Sequence, residues 1–286
     1  MRETGKKAKA KWQEQKRLLF MHKLSRHVRF SINPFLPEDY GGFNSFASEP
    51  PGEGLSIFLE FGVELIGEVE PATGFAVNVI DIDRGVRELV VPVFAKKIRE
   101  DFRSRKHIGL SGMAELLGSA WGQLADKFAT ARLSKLSLEL NPFRRIAIDS
   151  KECRMVYFSE KFEFAATHRL WNEDFSQERN LEIFGKCANP AGHGHNYVVE
   201  VTVKTVPDKN RLRIGDFEKI VNDELIDLVD HKNLNAELEE FKKVNPTVEN
   251  IAVFAWNKLA DRFSEAVLHC VTVWETDKTC CSYFGQ

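Results

Sequence analysis

The sequence predicts an α+β protein built from two similar units in tandem, and three observations carry that reading. The length of 286 residues corresponds to about two domains at roughly 150 residues each. Residues 114–128 (AELLGSAWGQLADKF) and 249–263 (ENIAVFAWNKLADRF) share a register at an offset of 135. In that register Ala120, Trp121, Leu124, Ala125, Asp126 and Phe128 recur as Ala255, Trp256, Leu259, Ala260, Asp261 and Phe263. Asp81 and Val86 fall on Asp216 and Val221 at the same offset, an ungapped correspondence that favours duplication over convergence on one amphipathic pattern. Each half also shows period-two segments around a pair of helix-like stretches.

In the first half, alternation predicts strands near 27–33, 55–66 and 75–80. A helix follows from Asp81 and is ended or kinked at Pro92, whose ring removes an N–H and clashes with the preceding turn. A second helix covers about 112–128, and strands follow at 134–140 and 144–149. In the second half, 156–167 and 196–205 alternate as strands, and Asp216 is the expected N-cap of a helix running to about Leu228. Pro246 and Thr247 open a helix with Ile251, Phe254, Ala255 and Leu259 at helical spacing, and strands close the chain at 268–276 and 280–284. The expected organisation is a basic tail over 1–24, one unit over 25–150 and a second over 151–286. Each unit is an antiparallel four-stranded sheet with two helices on one face.

Composition narrows the function classes. Lys and Arg total 40 against 42 for Asp and Glu, a net charge of −2, which argues against a nucleic-acid reader. The chain lacks an apolar run near the roughly 20 residues that span a bilayer, so no membrane partner is expected. Residues 1–23 carry eight basic residues against Glu3 and Glu14, read as a solvated tail in preference to a polyanion-binding arm. Cys153, Cys187, Cys270, Cys280 and Cys281 are odd in number and lack C-x-x-C spacing, which fits a reducing, cytoplasmic setting. The 22 Phe against 4 Tyr suit packed interiors or interfaces.

Candidate chemistry gathers in the second half. His193-Gly194-His195 precedes a predicted strand, and at strand spacing two imidazoles at i and i+2 share a face. His168 ends the preceding strand and is placed to supply a third nitrogen, the three-histidine, open-position pattern of catalytic zinc. Taken alone, an H-x-H favours surface or turn histidines over metal ligands, and it is the neighbourhood that points to a metal. Cys187, in a loop rich in Asn, Pro and Gly, is a usable base or nucleophile beside a cation, or else a small buried hydrophobe. In Asp230-His231 a carboxylate sits where it can set an imidazole's tautomer; the plainer reading is a histidine at a helix C-terminus. Glu275 ends an apolar strand and is either an exposed strand-end charge or an acceptor for two parallel N–H bonds from a guanidine-like heterocycle edge.

The segments FAATH (164–168), CANPAGHGHNY (187–197), DHKNLN (230–235), PTVEN (246–250) and WET (274–276) stand in the order found in the 6-pyruvoyltetrahydropterin synthase family, which includes the 6-carboxytetrahydropterin synthases of queuosine biosynthesis. Residues 155–286 resemble that family throughout. The resemblance implies the tunnelling fold, with units assembled side by side into barrels and an active site between subunits. It implies zinc bound by His168, His193 and His195, a catalytic Cys187, a proton relay of Asp230 and His231, and a pterin ring anchored by Glu275 with Thr247 and Glu249 lining the pocket. The implied reaction is loss of triphosphate from 7,8-dihydroneopterin triphosphate to give 6-pyruvoyltetrahydropterin, as in tetrahydrobiopterin biosynthesis, or, by side-chain cleavage, 6-carboxytetrahydropterin. The five residues between Cys187 and His193 lean towards the pyruvoyl type. Arg169 and Lys186 are candidates for the triphosphate.

The first half resembles a second unit of the same fold, and GEVEPATGFAVNVID (67–81) resembles the family's hairpin between its second and third strands. Its chemistry is missing. Ala95-Lys96 stand in place of Asp230-His231, Leu140 in place of Glu275, and Gly112 and Ala114 in place of Thr247 and Glu249. The expectation is a zinc-dependent lyase with one site per chain, against the alternative of a non-catalytic pterin-binding or scaffold protein. By analogy with the family's stacked trimeric rings, a homo-oligomer is expected, a trimer of two-unit chains or larger.

Overall fold

A computed structural model describes residues 21–36, 54–128, 130–152, 154–207 and 212–285. The expected basic tail lies outside the described residues up to position 20, as does Cys153. The chain divides into two compact units, one formed by the residues up to Asn141 with 146–154, the other by 142–145 with Met155 onwards.

In the first unit, β1 (His22–Ile32) and β2 (Ile57–Gly67) pair antiparallel over eleven residues, and β2 pairs antiparallel with β3 (Ala131–Glu139). β4 (Arg144–Asp149) follows β3 in the sheet order. β1 begins earlier than alternation placed it and takes in the end of the expected tail.

The strand expected at 75–80 is a turn leading into a helix. Glu70 N–H bonds Phe75 O and Gly74 N–H bonds Glu70 O, folding the chain back on itself. The Asn78 side chain then accepts the Ile80 N–H at 3.1 Å and caps α1 (Val79–Gly85). Alternating apolar residues lose here because an amide placed to accept an orphan helix N–H favours the cap. Pro92 also behaves differently from expectation. The π-helical turn Val86–Val90 precedes α2 (Val91–Arg103), and Pro92 sits in the first turn of α2, where a missing N–H costs little. α3 (Leu110–Leu124) packs on β3. Phe94 of α2 meets Phe30 and Phe61 edge-on at 6.2 and 5.8 Å, all three fully buried. Each such ring contributes about 1.5–3 kcal/mol by burial.

In the second unit, β5 (Val156–His168) pairs antiparallel with β6 (His193–Thr205), β6 with β8 (Val267–Thr276), and β8 with β9 (Thr279–Tyr283). Between β5 and β6 lies α4 (Gln177–Phe184), which the sequence reading did not anticipate. α5 (Ile214–Val221) runs through a π-helical turn at Asn222–Ile226 into the short α6 (Asp227–Val229). Arg213, not Asp216, is its N-cap, and Asp216 lies in the first turn where a carboxylate favours the helix dipole. β7 (Lys232–Asn233) pairs parallel with β5, the single departure from an antiparallel sheet in this unit among the described residues. α7 (Leu234–Glu237) and α8 (Val248–Leu259) follow, with the Thr247 hydroxyl capping α8 by accepting the Asn250 N–H.

On β6, Tyr197, Val199, Val201, Val203 and Thr205 are buried in strict alternation. Phe158 and Phe217 meet edge-on at 5.0 Å, and Phe217 stacks on Phe263 at 5.3 Å, joining β5 and α5 in one core. No helix among the described residues is long and apolar enough to cross a membrane.

Candidate metal centre and the residues around it

The core face of the second sheet is apolar along most of its length and turns polar at one end. β5 and β6 are in register there, with Phe164 opposite Tyr197, Ala166 opposite His195 and His168 opposite His193. Period-two alternation places all six side chains on one face. The small Ala166 leaves room between the imidazoles. The result is a cluster in which one nitrogen from each of His168, His193 and His195 lies within 4.8 Å of the others. Nε2 of His168 and Nε2 of His193 are 3.1 Å apart.

His168 is buried, and its Nδ1 lies 2.7 Å from the carbonyl oxygen of Pro246. That acceptor fixes Nδ1 as the protonated nitrogen and turns the Nε2 lone pair towards the cluster. Burial, followed by the neighbouring His193 and His195, holds His168 below the usual histidine pKa in spite of the Pro246 bond. Burial and His195 do the same for His193. Neutral imidazoles are the form that binds metal. Nδ1 of His193 and Nε2 of His195 are buried without a hydrogen-bond partner. Three converging nitrogen donors, with a buried nitrogen on His193 and another on His195 lacking a hydrogen-bond partner, fit a divalent cation of the zinc type.

The HGH turn depends on two glycines for different reasons. Gly192 has φ of +68°, and a Cβ there would lie 2.9 Å from the His168 carbonyl oxygen. Gly194 faces the other side of the strand, where a Cβ would meet Thr167 at 3.3 Å. Replacement of Gly192 by Ala is expected to cost about 1–2 kcal/mol from the left-handed backbone alone. The contact with His168 adds to this, and a lowered Tm with weakened metal retention checks it.

Cys187 lies in a 3₁₀ turn, Gly185–Ala188, and its carbonyl accepts the Leu170 N–H at 2.8 Å. The turn is set by α4, which Ser176 caps and which ends at Gly185 with φ of +53°. Asn180 is fully buried. It accepts the Asn172 N–H and donates to the carbonyls of Asn172, Phe175 and Ser176, tying the loop to the helix. Burial and then the Glu275 carboxylate push the Cys187 thiol up, so in the absence of a cation it is protonated at neutral pH, opposite to the direction a bound cation would impose.

Glu275 comes to the cluster from β8. Its Oε1 is 3.5 Å from Nε2 of His168 and 3.6 Å from Nε2 of His195. Thr247 follows Pro246 directly, so the residue that caps α8 adjoins the carbonyl that orients His168. Glu249 is in the first turn of α8, and its charge is felt at Cys281 on β9.

Asp230 and His231 are placed by the end of β5. The Asp230 carboxylate accepts the Ala165 N–H at 2.9 Å, and the His231 N–H donates to Ala165 O. His231 takes φ of +57° to do so. Its Nδ1 is 2.8 Å from the other Asp230 oxygen, leaving Nε2 outward. The Ala165 N–H, then His231, hold the Asp230 carboxyl below its usual range. The His231 side chain is 81% exposed. With His195, Asn196 and Lys232 it lines a cavity of about 570 Å³ that does not include Cys187.

Three asparagines and a tyrosine escaped the sequence reading as individual residues. Asn235 accepts the Arg169 N–H and donates to Arg169 O, and Asn245 accepts the Trp171 N–H. These side chains hold the chain beyond β5 where no strand does. Arg169 stacks on Trp171 at 4.0 Å and donates to Ala188 O. Asn235 stands inside DHKNLN and Tyr197 inside CANPAGHGHNY, so their motifs were the available signal; Asn180 had none.

Fold and site thus define an α+β protein with a three-histidine centre at the end of a sheet. Comparison with known proteins gives its relationship. The family described as 6-pyruvoyl tetrahydropterin synthase matches residues 157–286. The human 6-pyruvoyl tetrahydrobiopterin synthase is 40% identical over 131 residues, 45% of this chain and 90% of that protein. The 6-carboxy-5,6,7,8-tetrahydropterin synthase of Aquifex aeolicus is 29% identical over 149 residues, 41% of this chain and 91% of that protein. A solved Caenorhabditis elegans 6-pyruvoyl tetrahydropterin synthase shares 37% identity, covering 46% of this chain and 96% of its own, with a TM-score of 0.44. The chain belongs to the 6-pyruvoyl tetrahydropterin synthase family.

Proposed function

We propose that the second unit is a zinc-dependent lyase that releases triphosphate from 7,8-dihydroneopterin triphosphate and forms 6-pyruvoyltetrahydropterin. The observation that carries this is the convergence of His168, His193 and His195 with Cys187 and Glu275 at one end of one sheet. A zinc ion held by the three imidazoles supplies Lewis-acid polarisation of the side-chain hydroxyls. Glu275 accepts the paired N–H groups of the pterin's guanidine-like edge, and Thr247 and Glu249 line the same pocket. Cys187 and His231 take protons from and return them to the side-chain carbons and oxygens while the bond to triphosphate breaks. Asp230 keeps the His231 Nδ1 protonated, so Nε2 does the transfer.

The pyruvoyl product is favoured by the five-residue spacing between Cys187 and His193. Higher identity to the human relative than to the carboxy-type one supports the same branch. The outward His231 supports a relay pair that works across a subunit boundary in a homo-oligomer.

The first unit is proposed to be a degenerate copy with a structural role. In support, the helix caps Asn78 and Arg213, and the helix ends Leu124 and Leu259, fall at the same offset of 135 as the sequence repeat. Where the second unit has Glu275 the first has Leu140.

Incubation of the full chain with dihydroneopterin triphosphate, with mass identification of the pterin, tests the proposal. The mass of 6-pyruvoyltetrahydropterin together with free triphosphate is expected. The carboxy product would move the protein to the other branch, and unchanged substrate would overturn the lyase reading.

A further inference from the structure

Tyr197 carries a polar group that nothing in the free chain uses. It is fully buried, and its hydroxyl oxygen has no hydrogen-bond partner. Its ring stacks on Phe164 at 4.9 Å, with His195 5.5 Å and His168 6.2 Å away between centroids. A phenylalanine would make every one of these ring contacts without desolvating a hydroxyl. A buried hydroxyl left unpaired is a net cost to folding, so the oxygen at this position calls for a partner that the folded chain alone does not supply.

The strand register indicates which group that is. Val198 pairs with Trp274 and Val199 with Val273 across β6 and β8. The next residues along the two strands are Tyr197 and Glu275, and the Tyr197 ring and the Glu275 carboxylate adjoin the same two imidazoles, those of His168 and His195. In this structure the Glu275 carboxylate leans towards Nε2 of His168 and of His195. Imidazole nitrogens committed to a cation have no proton to share with it, and the Tyr197 hydroxyl is then the buried donor beside the carboxylate.

We propose that Tyr197 is a positioning residue: its hydroxyl donates a hydrogen bond to the Glu275 carboxylate when the site is loaded, aiming the other oxygen at the bound heterocycle. The proposal rests on the pterin reading above, and it makes binding of the heterocycle, not turnover of bound substrate, the quantity that Tyr197 controls.

The test compares the zinc-loaded full chain with its Tyr197→Phe variant by neopterin titration, thermal melting, zinc content and kinetics with the triphosphate substrate. The variant is expected to bind neopterin about tenfold more weakly, the loss of one charge-assisted hydrogen bond. KM should rise while kcat is held, zinc content should be unchanged, and the Tm of the metal-free chain, in which the hydroxyl is unpaired, should be equal or higher. A merely structural tyrosine would lower the metal-free Tm and zinc retention together with affinity, and that result overturns the proposal. Equal neopterin affinity in the two chains also overturns it and leaves the pterin reading intact. Absence of neopterin binding by the unaltered chain overturns both.

Discussion

A chain carrying Cys187→Ala is expected to retain zinc and to release triphosphate about 10²–10⁴-fold more slowly, the range for loss of a positioned general acid–base group. Cys187 is half-buried on a 3₁₀ turn held by Asn180 and by the capped α4, and its thiol registers the charge of Glu275. It is not among the three clustered metal-ligand candidates, so its removal leaves the three nitrogens in place. The measurement is zinc content by elemental analysis beside the initial rate of triphosphate release. Full turnover by the variant would take the thiol out of the chemistry.

His195→Ala is expected to abolish both zinc retention and product formation, with metal affinity falling by more than about 100-fold, the upper end of what loss of an outer-shell partner costs. Of the three candidate ligands, His195 is the cleanest to remove. Its Nε2 is buried without a hydrogen-bond partner, so no bond from that atom to the protein is lost with the ring. His168 is a poorer choice, because its Nδ1 bonds to Pro246 O and the ring is buried at the end of β5. His168→Ala would therefore mix metal loss with unfolding. Melting curves taken with the zinc analysis separate the two: the His195 variant should lose metal while still melting cooperatively. Retention of one zinc per chain in that variant would place the metal elsewhere.

Parts of this architecture were legible in the sequence because they obey one period. The strand 193–205 alternates cleanly, 156–168 does so at its two ends, and the helix begun at Thr247 has its buried residues at helical spacing. The three histidines were legible for the same reason, since i and i+2 on a strand share a face. What escaped does not follow a hydrophobic pattern. α4 has Asn180 as its buried residue, while Leu181 and Ile183 are exposed, so periodicity shows no apolar stripe to find. The strand expected at 75–80 failed because the Asn78 cap outweighs five apolar neighbours. Pro92 was misplaced because a π-helical turn, invisible to a 3.6-residue period, lets a proline begin a new helix. Tyr197 escaped as an individual residue because by burial it is an ordinary core side chain, and only its unpaired hydroxyl sets it apart.

The residues proposed to carry the chemistry stand in one of the two units, and the offset of 135 identifies their counterparts in the other. The second unit contains the clustered histidines, the thiol and the carboxylate, and the first has Ala95, Lys96 and Leu140 at the corresponding positions. The measurement that tests this most directly is zinc stoichiometry of the full chain coupled to triphosphate release before and after chelation. One zinc per chain is expected, with release that stops when the metal is removed and recovers when one equivalent of zinc is returned. Release that continues unchanged in the metal-free chain would contradict that expectation.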